Sequence, residues 1–142
     1  MKRCLVDLNV WLALAYSDHE HYSRSVTWFD STDADLLFCR QTQIGFLRLI
    51  STKSVMGAHV KTQQEAWLAY DALAGAPRVS FADEPPGMEL DFRAYSSLPL
   101  AAPKLWADAY LAAFANAAGL AFATFDAGFG NRNQVRDLLV IP

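Results

Sequence analysis

The sequence contains little cysteine. Only Cys4 and Cys39 carry thiols among its 142 residues, and both lie in short apolar runs. Two cysteines without the paired spacing of zinc ligands do not make a zinc site, and disulfides are rare in reducing compartments. We therefore predict two buried thiols that pack as small hydrophobic side chains.

The sequence also lacks a long hydrophobic run. No apolar segment reaches the roughly 18 residues that a membrane-spanning helix requires. Asp7 and Asn9 interrupt the first apolar stretch, which argues against a signal peptide. We therefore expect a cytoplasmic protein without membrane association. The chain is 53% hydrophobic and 19% charged, which excludes a disordered protein and, at this length, predicts a single domain over residues 1–142.

An excess of basic charge is missing as well. Twelve Lys and Arg residues stand against fifteen Asp and Glu residues, giving a net charge of −3. The chain therefore lacks the excess of positive charge that is typical of proteins that bind nucleic acids mainly by electrostatic attraction. It does not exclude a nuclease whose carboxylates hold a divalent metal, because a bound cation reverses the local field.

Short apolar runs alternate with helical patterns along the chain. Strands are predicted at residues 3–6, 36–39, 78–81, 120–125 and 138–141. Helices are predicted at residues 10–16, around 28–29, and at 41–51, 62–73, 88–96 and 103–118. Thr62 and Glu65 have capping-box spacing, and Gly119 follows the last helix. Such alternation predicts an α/β fold with a parallel sheet covered on both faces.

Two aspartates follow predicted strands. Asp7 comes directly after the first strand, and Asp126 comes after the strand at 120–125. In an open parallel sheet, ligands bind beyond the carboxyl ends of the strands, so the two side chains are candidates for one crevice. The alternative is that each aspartate caps the helix or turn that follows it.

A third carboxylate lies on an apolar helix face. Asp108 shares helical spacing with Leu105, Leu111 and Ala112. A buried carboxylate needs a cation, a hydrogen-bond network or a raised pKa. The alternatives are a pair with Lys104, four residues earlier, and a favourable place near the helix N-terminus.

Three carboxylates in one crevice would repel one another unless a divalent cation binds them. Mg²⁺ prefers hard oxygen ligands and retains waters. That arrangement suits metal-assisted cleavage of a phosphodiester, in which the metal activates water and stabilises the leaving oxygen.

Four segments carry a resemblance to a known family: LVDLNVWLAL (5–14), QIGFLRLIS (43–51), WADAYLAAFA (106–115) and ATFDAGF (123–129). In this order, and over nearly the whole chain, they resemble the PIN-domain ribonucleases, specifically the VapC-type toxins of bacterial toxin–antitoxin systems. The resemblance implies a three-layer α/β/α fold with a central, mostly parallel sheet. It also implies a metal-dependent endoribonuclease that uses Mg²⁺, or Mn²⁺ in its place, acts on RNA, forms a homodimer and is neutralised by a VapB-type antitoxin.

The resemblance also assigns residues. Asp7, Asp108 and Asp126 match the family's catalytic and metal-binding acids. Asn9 matches the polar residue two positions after the first of them. Thr124 stands where the family often has a hydroxyl beside the last acid.

One position departs from the family pattern. The second acidic residue of the family usually precedes Phe-Leu-Arg, and Gly45 stands there instead. Gln43 or Thr42 is a candidate for a neutral oxygen nearby. A glycine costs a helix up to about 1 kcal/mol relative to alanine, so we expect that a close approach of backbone or ligand, or a packing contact, requires it.

The missing carboxylate keeps an alternative function open. This is a catalytically weakened binding module that engages an antitoxin or RNA without efficient cleavage. A third interpretation is a phosphoesterase for small substrates.

Other polar residues have less specific interpretations. His19 and His21 flank Glu20, and without further ligands they predict a solvated loop or a helix start more than a transition-metal site. Four arginines are candidates either for RNA phosphate contacts or for ordinary surface positions: Arg40, Arg48, Arg132 and Arg136. The four tryptophans are expected mostly in the core, with some aromatic residues lining a dimer or antitoxin groove.

Overall fold

The computed structural model describes residues 2–142 and has a five-stranded sheet at its centre. The strands are β1 (Arg3–Val6), β2 (Asp35–Phe38), β3 (Val79–Phe81), β4 (Ala121–Thr124) and β5 (Leu138–Val140). Neighbouring strands are parallel throughout, in the spatial order β3-β2-β1-β4-β5. The five predicted strands are confirmed to within one residue at either end.

Helices connect these strands and cover both faces of the sheet. They are α1 (Leu8–Ala15), α2 (Tyr22–Ser31), α3 (Arg40–Ile50), α4 (Lys53–Met56), α5 (Gln63–Ala74), α6 (Glu89–Tyr95), α7 (Trp106–Ala118) and α8 (Phe129–Arg132). The predicted three-layer α/β/α fold is confirmed. Across residues 2–142, every helix is too short or too polar to span a bilayer.

Local signals in the sequence set several helix ends. Thr62 Oγ1 accepts the Glu65 N–H at 3.1 Å, and Glu65 Oε1 accepts the Thr62 N–H at 2.9 Å, so the predicted capping box begins α5. Gly119 ends α7 with a φ of 67°, a conformation that favours glycine. The residues Pro103–Leu105 form a 3₁₀ turn, so α7 begins at Trp106 and not at Pro103.

The alternation of side chains along β1 divides the core in two. Cys4 and Val6 point into the layer that contains Trp11, whereas Leu5 points into the layer that contains Phe114. Cys4 and Cys39 are both buried free thiols, as predicted. Burial raises the pKa of the Cys4 thiol, which keeps this thiol protonated.

Two of the four tryptophans do not belong to this core. Trp11 and Trp28 are buried, but Trp67 is 48% exposed and Trp106 is 57% exposed. The expectation that the tryptophans are mostly core residues is therefore wrong for half of them. Trp67 packs edge-on against Tyr70, with ring centroids 5.9 Å apart, so one side of its ring still reaches solvent.

The strand order reverses between β1 and β4. The chain runs from β1 outward to β2 and β3, and then returns to place β4 and β5 on the other side of β1. Such a reversal opens a crevice at the carboxyl ends of the two strands. The Asp7 N–H donates to the Ala123 carbonyl at 2.9 Å, which joins the two strands at the base of this crevice.

Candidate active site

Asp7 occupies the base of the crevice at the end of β1. It is the N-cap residue of α1, but its side chain makes no capping hydrogen bond. Its Oδ2 instead accepts the hydroxyl proton of Thr124 at 2.8 Å. The capping alternative therefore fails for this residue, and its carboxylate is directed toward β4.

Asp126 reaches the same crevice from a turn after β4. Its N–H donates to Thr124 Oγ1 at 3.1 Å, and its Oδ1 accepts the Gly128 N–H at 2.9 Å. One oxygen of Asp126 thus stabilises the local turn, as the alternative interpretation predicted. The other oxygen, Oδ2, pairs with the guanidinium of Arg132.

Asp108 enters from the first turn of α7 and is partly buried. Its Oδ2 lies 3.8 Å from Arg132 Nη2. Among residues 2–142, the ion-pair partner of Asp108 is Arg132, and Lys104 forms no ion pair with it. The pair with Lys104 fails because the 3₁₀ turn before α7 breaks the continuous helical spacing on which it depends.

The three aspartates line one cavity of about 590 Å³, together with Asn9 and Thr124. Burial is the main cause that raises the pKa of Asp7; the Thr124 hydrogen bond opposes it, and the charges of Asp108 and Asp126 add to it. Burial also raises the pKa of Asp108, against the effect of Arg132. The hydrogen bond from Arg132 lowers the pKa of Asp126. The carboxylates are therefore close enough to influence one another's ionisation.

The donor types of this cavity fit a divalent metal. Carboxylates, a threonine hydroxyl and an asparagine amide supply the hard oxygens that Mg²⁺ prefers. However, within the described part of the chain, no three Asp, Glu, His or Cys side chains are arranged so that they hold an ion as they stand. The composition of the site fits the metal, and side chains must move before the three aspartates share one.

Comparison with known proteins identifies the family. Residues 4–133 match the PIN domain family. The chain is 44% identical to ribonuclease VapC41 of Mycobacterium tuberculosis over 131 residues, which cover 88% of this chain and 90% of VapC41. The chain belongs to the PIN-domain family, among its VapC-type members. The resemblance inferred from the four sequence segments is confirmed.

More distant relatives agree with this PIN-domain assignment. Ribonuclease VapC38 of the same organism is 28% identical over 140 residues, which cover 93% of this chain and 91% of VapC38. The crystal structure of M. tuberculosis VapC20, a sarcin–ricin loop cleaving toxin, matches with a TM-score of 0.68 at 14% identity, over 98% of this chain and 99% of that chain. VapBC2 from Rickettsia felis, bound to a DNA fragment from their promoter, matches with a TM-score of 0.61 at 10% identity, over 97% of this chain and 96% of that chain. At these identities the solved structures show the fold alone.

The departure of this PIN domain at Gly45 has a structural reason. A Cβ atom at position 45 would lie 2.8 Å from Leu8 Cδ2, closer than real side chains approach. This distance supports the packing alternative, because a side chain at position 45 requires the end of the Leu8 side chain to shift. Leu8 also lines the acidic cavity, directly after Asp7.

The residue of α3 that lines the PIN-domain cavity is Gln41. Gln43 is buried, accepts a hydrogen bond from Arg40 and does not line the cavity. Thr42 donates its hydroxyl to the Cys39 carbonyl at 3.1 Å and so stabilises the start of α3. Gln41 was missed in the sequence, although it precedes Gly45 by one helical turn and therefore shares its face.

The loop before α2 forms another wall of the cavity. His19, Glu20 and His21 all line it. His19 Nδ1 accepts the His21 N–H at 3.0 Å, and the His21 ring lies 4.7 Å from that of Phe125. Both histidines are partly buried, so the segment is less solvated than expected, while His21 stands at the start of α2 as its N-cap residue, in line with the expected helix start.

Proposed function

We propose that this PIN-domain protein is an endoribonuclease that cleaves RNA phosphodiester bonds with carboxylate-bound Mg²⁺ or Mn²⁺. In this proposal it is the toxin of a type II toxin–antitoxin pair. The observation that carries the proposal is the meeting of Asp7, Asp108 and Asp126 in one cavity at the β1–β4 strand reversal. The 44% identity to a protein named a ribonuclease supports RNA as the substrate.

In this proposal the three aspartates are both metal ligands and catalytic residues. Thr124 is a positioning residue for Asp7: it accepts the Asp126 N–H and donates its own proton to Asp7. Asn9 lies at the mouth of the cavity, where it is exposed and can contact substrate. The proposal does not include Gln43, whose side chain lies elsewhere.

The reaction is a hydrolysis. Water oxygen forms a bond to phosphorus, and the bond from phosphorus to one ribose oxygen breaks. A divalent ion bound by the aspartates would polarise the phosphate and promote deprotonation of the water. The carboxylates of Asp7 and Asp108 must be ionised to bind it, and burial opposes their ionisation. We therefore expect metal binding to strengthen as pH rises.

Two observations favour a second candidate function. The position of the family's remaining acid is occupied by Gly45, which supplies no carboxylate. In addition, the described residues hold no ready-made three-ligand cluster. The second candidate is a binding module that engages RNA or an antitoxin without efficient cleavage.

An RNA cleavage assay separates the two. Purified protein is incubated with total RNA and Mg²⁺ or EDTA, and the new ends are mapped. We expect metal-dependent cleavage by the wild type and by Asp71→Asn, an exposed carboxylate on α5, and none by Asp108→Asn. RNA binding without any cleavage by the wild type would favour the binding module, and hydrolysis of small phosphate esters alone would favour a phosphoesterase.

We propose a VapB-type antitoxin as the partner that controls this site. A groove of about 420 Å³ lies between α3 and α5, lined by Ile44, Leu47 and the exposed Trp67. Apolar residues of an antitoxin tail would fill this groove. A basic side chain at the end of that tail would pair with the carboxylates of the cavity.

We also propose that the chain forms a homodimer. Large apolar side chains of Leu98, Leu100 and Trp106 are exposed around a small cavity beside the start of α7. Interface cores are enriched in aromatic residues such as Trp106. Analytical ultracentrifugation of the wild type and of Trp106→Ala tests this: we expect a dimer that the substitution weakens, and a monomeric wild type would refute it.

A further inference from the structure

Arg132 already places a cation between two of the proposed metal ligands. Its Nη2 atom lies 2.5 Å from Asp126 Oδ2 and 3.8 Å from Asp108 Oδ2. The positively charged guanidinium therefore lies between the two carboxylates, where a metal ion bound by both of them would lie. A guanidinium remains protonated at any physiological pH, so it gives up this position only by moving.

The chain segment between β4 and α8 is shaped to bring Arg132 there. The Asp126–Gly128 turn reverses the chain, and Arg132 follows in the last turn of α8. A Cβ atom at position 128 would lie 3.2 Å from both Arg132 Nη1 and Asp126 Oδ1. The absence of a side chain at Gly128 thus lets the turn pack closely against the ion pair.

Arg132 also has a route out of the site. Its side chain is 44% exposed, and it is joined to the backbone by a long flexible stem. The guanidinium can therefore rotate into solvent without movement of the helix. Asp7 remains in place during such a movement, because its bond is to Thr124 and not to Arg132.

The ion pairs with Arg132 separate two of the three carboxylates from the third. Asp108 and Asp126 are drawn to Arg132, whereas Asp7 is held at the end of β1. This division accounts for the finding that, over residues 2–142, no three side chains are arranged to hold an ion. It also explains why the donor types fit a metal while their arrangement does not.

We infer that Arg132 is a built-in competitor for the metal, and that a divalent ion binds Asp7, Asp108 and Asp126 together only after displacing its guanidinium. The inference rests on the proposed metal site. It adds that the chain itself regulates this site, because a divalent ion binds by replacing the Arg132 guanidinium.

The test measures metal affinity and not activity. Mn²⁺ binding is followed by calorimetry for the wild type, Arg132→Gln, Arg132→Lys and Arg136→Gln. Arg136 lies in the same segment, is exposed and makes the same charge change when substituted. We expect Arg132→Gln to bind Mn²⁺ roughly two- to five-fold more tightly than Arg136→Gln, as removal of an exposed ion pair implies. Arg132→Lys should lie closer to the wild type.

A purely structural clamp predicts the opposite sign, because loss of Arg132 would then release Asp126 from its position and weaken Mn²⁺ binding. Equal or weaker binding by Arg132→Gln, with normal binding by the wild type, overturns the inference and leaves the proposed function intact. If no protein of the set binds Mn²⁺, both are wrong. Circular dichroism of each variant checks that it is folded, and Arg132→Ala, which also removes the guanidinium, takes the place of the glutamine variant if that variant is not.

Discussion

Thr124 links the ends of β1 and β4 by donating its hydroxyl proton to Asp7 at 2.8 Å while accepting the Asp126 N–H at 3.1 Å. Both its donor and its acceptor functions are thus used within the site, and the residue is fully buried. The hydroxyl fixes the spacing of two of the three aspartates. It also stabilises the ionised form of Asp7 against the effect of burial.

The substitution Thr124→Val should therefore lower the free energy of unfolding and remove the hydrogen bonds that position Asp7 and Asp126. Loss of the hydroxyl leaves Asp7 and the Asp126 N–H without their partner, which should cost about 1–3 kcal/mol of unfolding free energy. Chemical denaturation measures this. The control Thr27→Val removes an exposed hydroxyl on α2 and should change stability by less than about 0.5 kcal/mol. Equal effects of the two variants would contradict the role given to Thr124.

The raised pKa of Asp7 predicts a pH dependence of stability without metal. Burial makes the folded state hold this proton more tightly than the unfolded state. The contribution of Asp7 to stability is therefore largest below its unfolded pKa of about 3.9, and it falls as pH rises through the raised folded value. In EDTA, Asp7→Asn should gain stability relative to the wild type as pH rises from acid to neutral. Denaturation of both proteins across this range measures the difference, and a difference that stays constant with pH would contradict the assignment.

Gly45 and Leu8 should be energetically coupled. A methyl group at position 45 meets Leu8 Cδ2 at 2.8 Å, and overpacking costs about 1–3 kcal/mol, against a gain in helix propensity of about 1 kcal/mol. Gly45→Ala should therefore stabilise the Leu8→Ala variant more than the wild type, in which the end of the Leu8 side chain has to shift. A double-mutant cycle by thermal denaturation gives the coupling, and additive effects would contradict the packing explanation.

The same pair allows a test of the missing acid. Gly45→Glu alone should unfold at lower temperature, because Leu8 blocks the new side chain. Combined with Leu8→Ala, the new carboxylate has more room where Leu8 lines the cavity, and it should tighten Mn²⁺ binding in calorimetry. Gly45→Gln in the same background is the matched control for charge. If the glutamate and glutamine variants bind Mn²⁺ equally, position 45 has no ligand role.

The proposed antitoxin groove predicts a difference between two neighbouring residues. Trp67 lines the groove between α3 and α5, whereas the equally apolar Leu68 is 66% exposed and does not. Trp67→Ala should weaken antitoxin binding by about 2 kcal/mol or more, as buried tryptophans at interfaces do. Leu68→Ala should have little effect. Calorimetry or surface plasmon resonance measures both, and similar affinities for the two variants would place the antitoxin elsewhere.

The sequence predicts the helices and strands of this protein better than it predicts which side chains contact one another. Short, mostly apolar runs identify the strands. The positions of Asp7 and Asp126 after two of them predict a shared crevice, because parallel strands end at one edge of the sheet. The strand order is not predictable in the same way, since it depends on the side to which each crossover returns. The Lys104–Asp108 pair fails for a related reason: the spacing argument assumes a continuous helix, and the chain forms a 3₁₀ turn there.

Contacts across a turn are harder still to predict. Arg132 follows Asp126 by six residues, a separation without a regular neighbour relationship in a helix or strand, and only the turn at Gly128 brings the two together. Gln41 lines the cavity and Gln43 does not, because the face that α3 turns toward the site is set by tertiary packing. The exposure of Trp67 and Trp106 is likewise not encoded in local pattern, because it depends on what packs against the finished fold.

The outer strands of the sheet determine how this chain can associate. β3 and β5 form the two edges, and each has only three residues. Such short edges offer few unpaired backbone groups, so they are poor templates for strand addition by another chain. Strand addition between copies is therefore disfavoured, and we expect a partner to be recognised through side chains on the helices rather than through backbone pairing at a sheet edge.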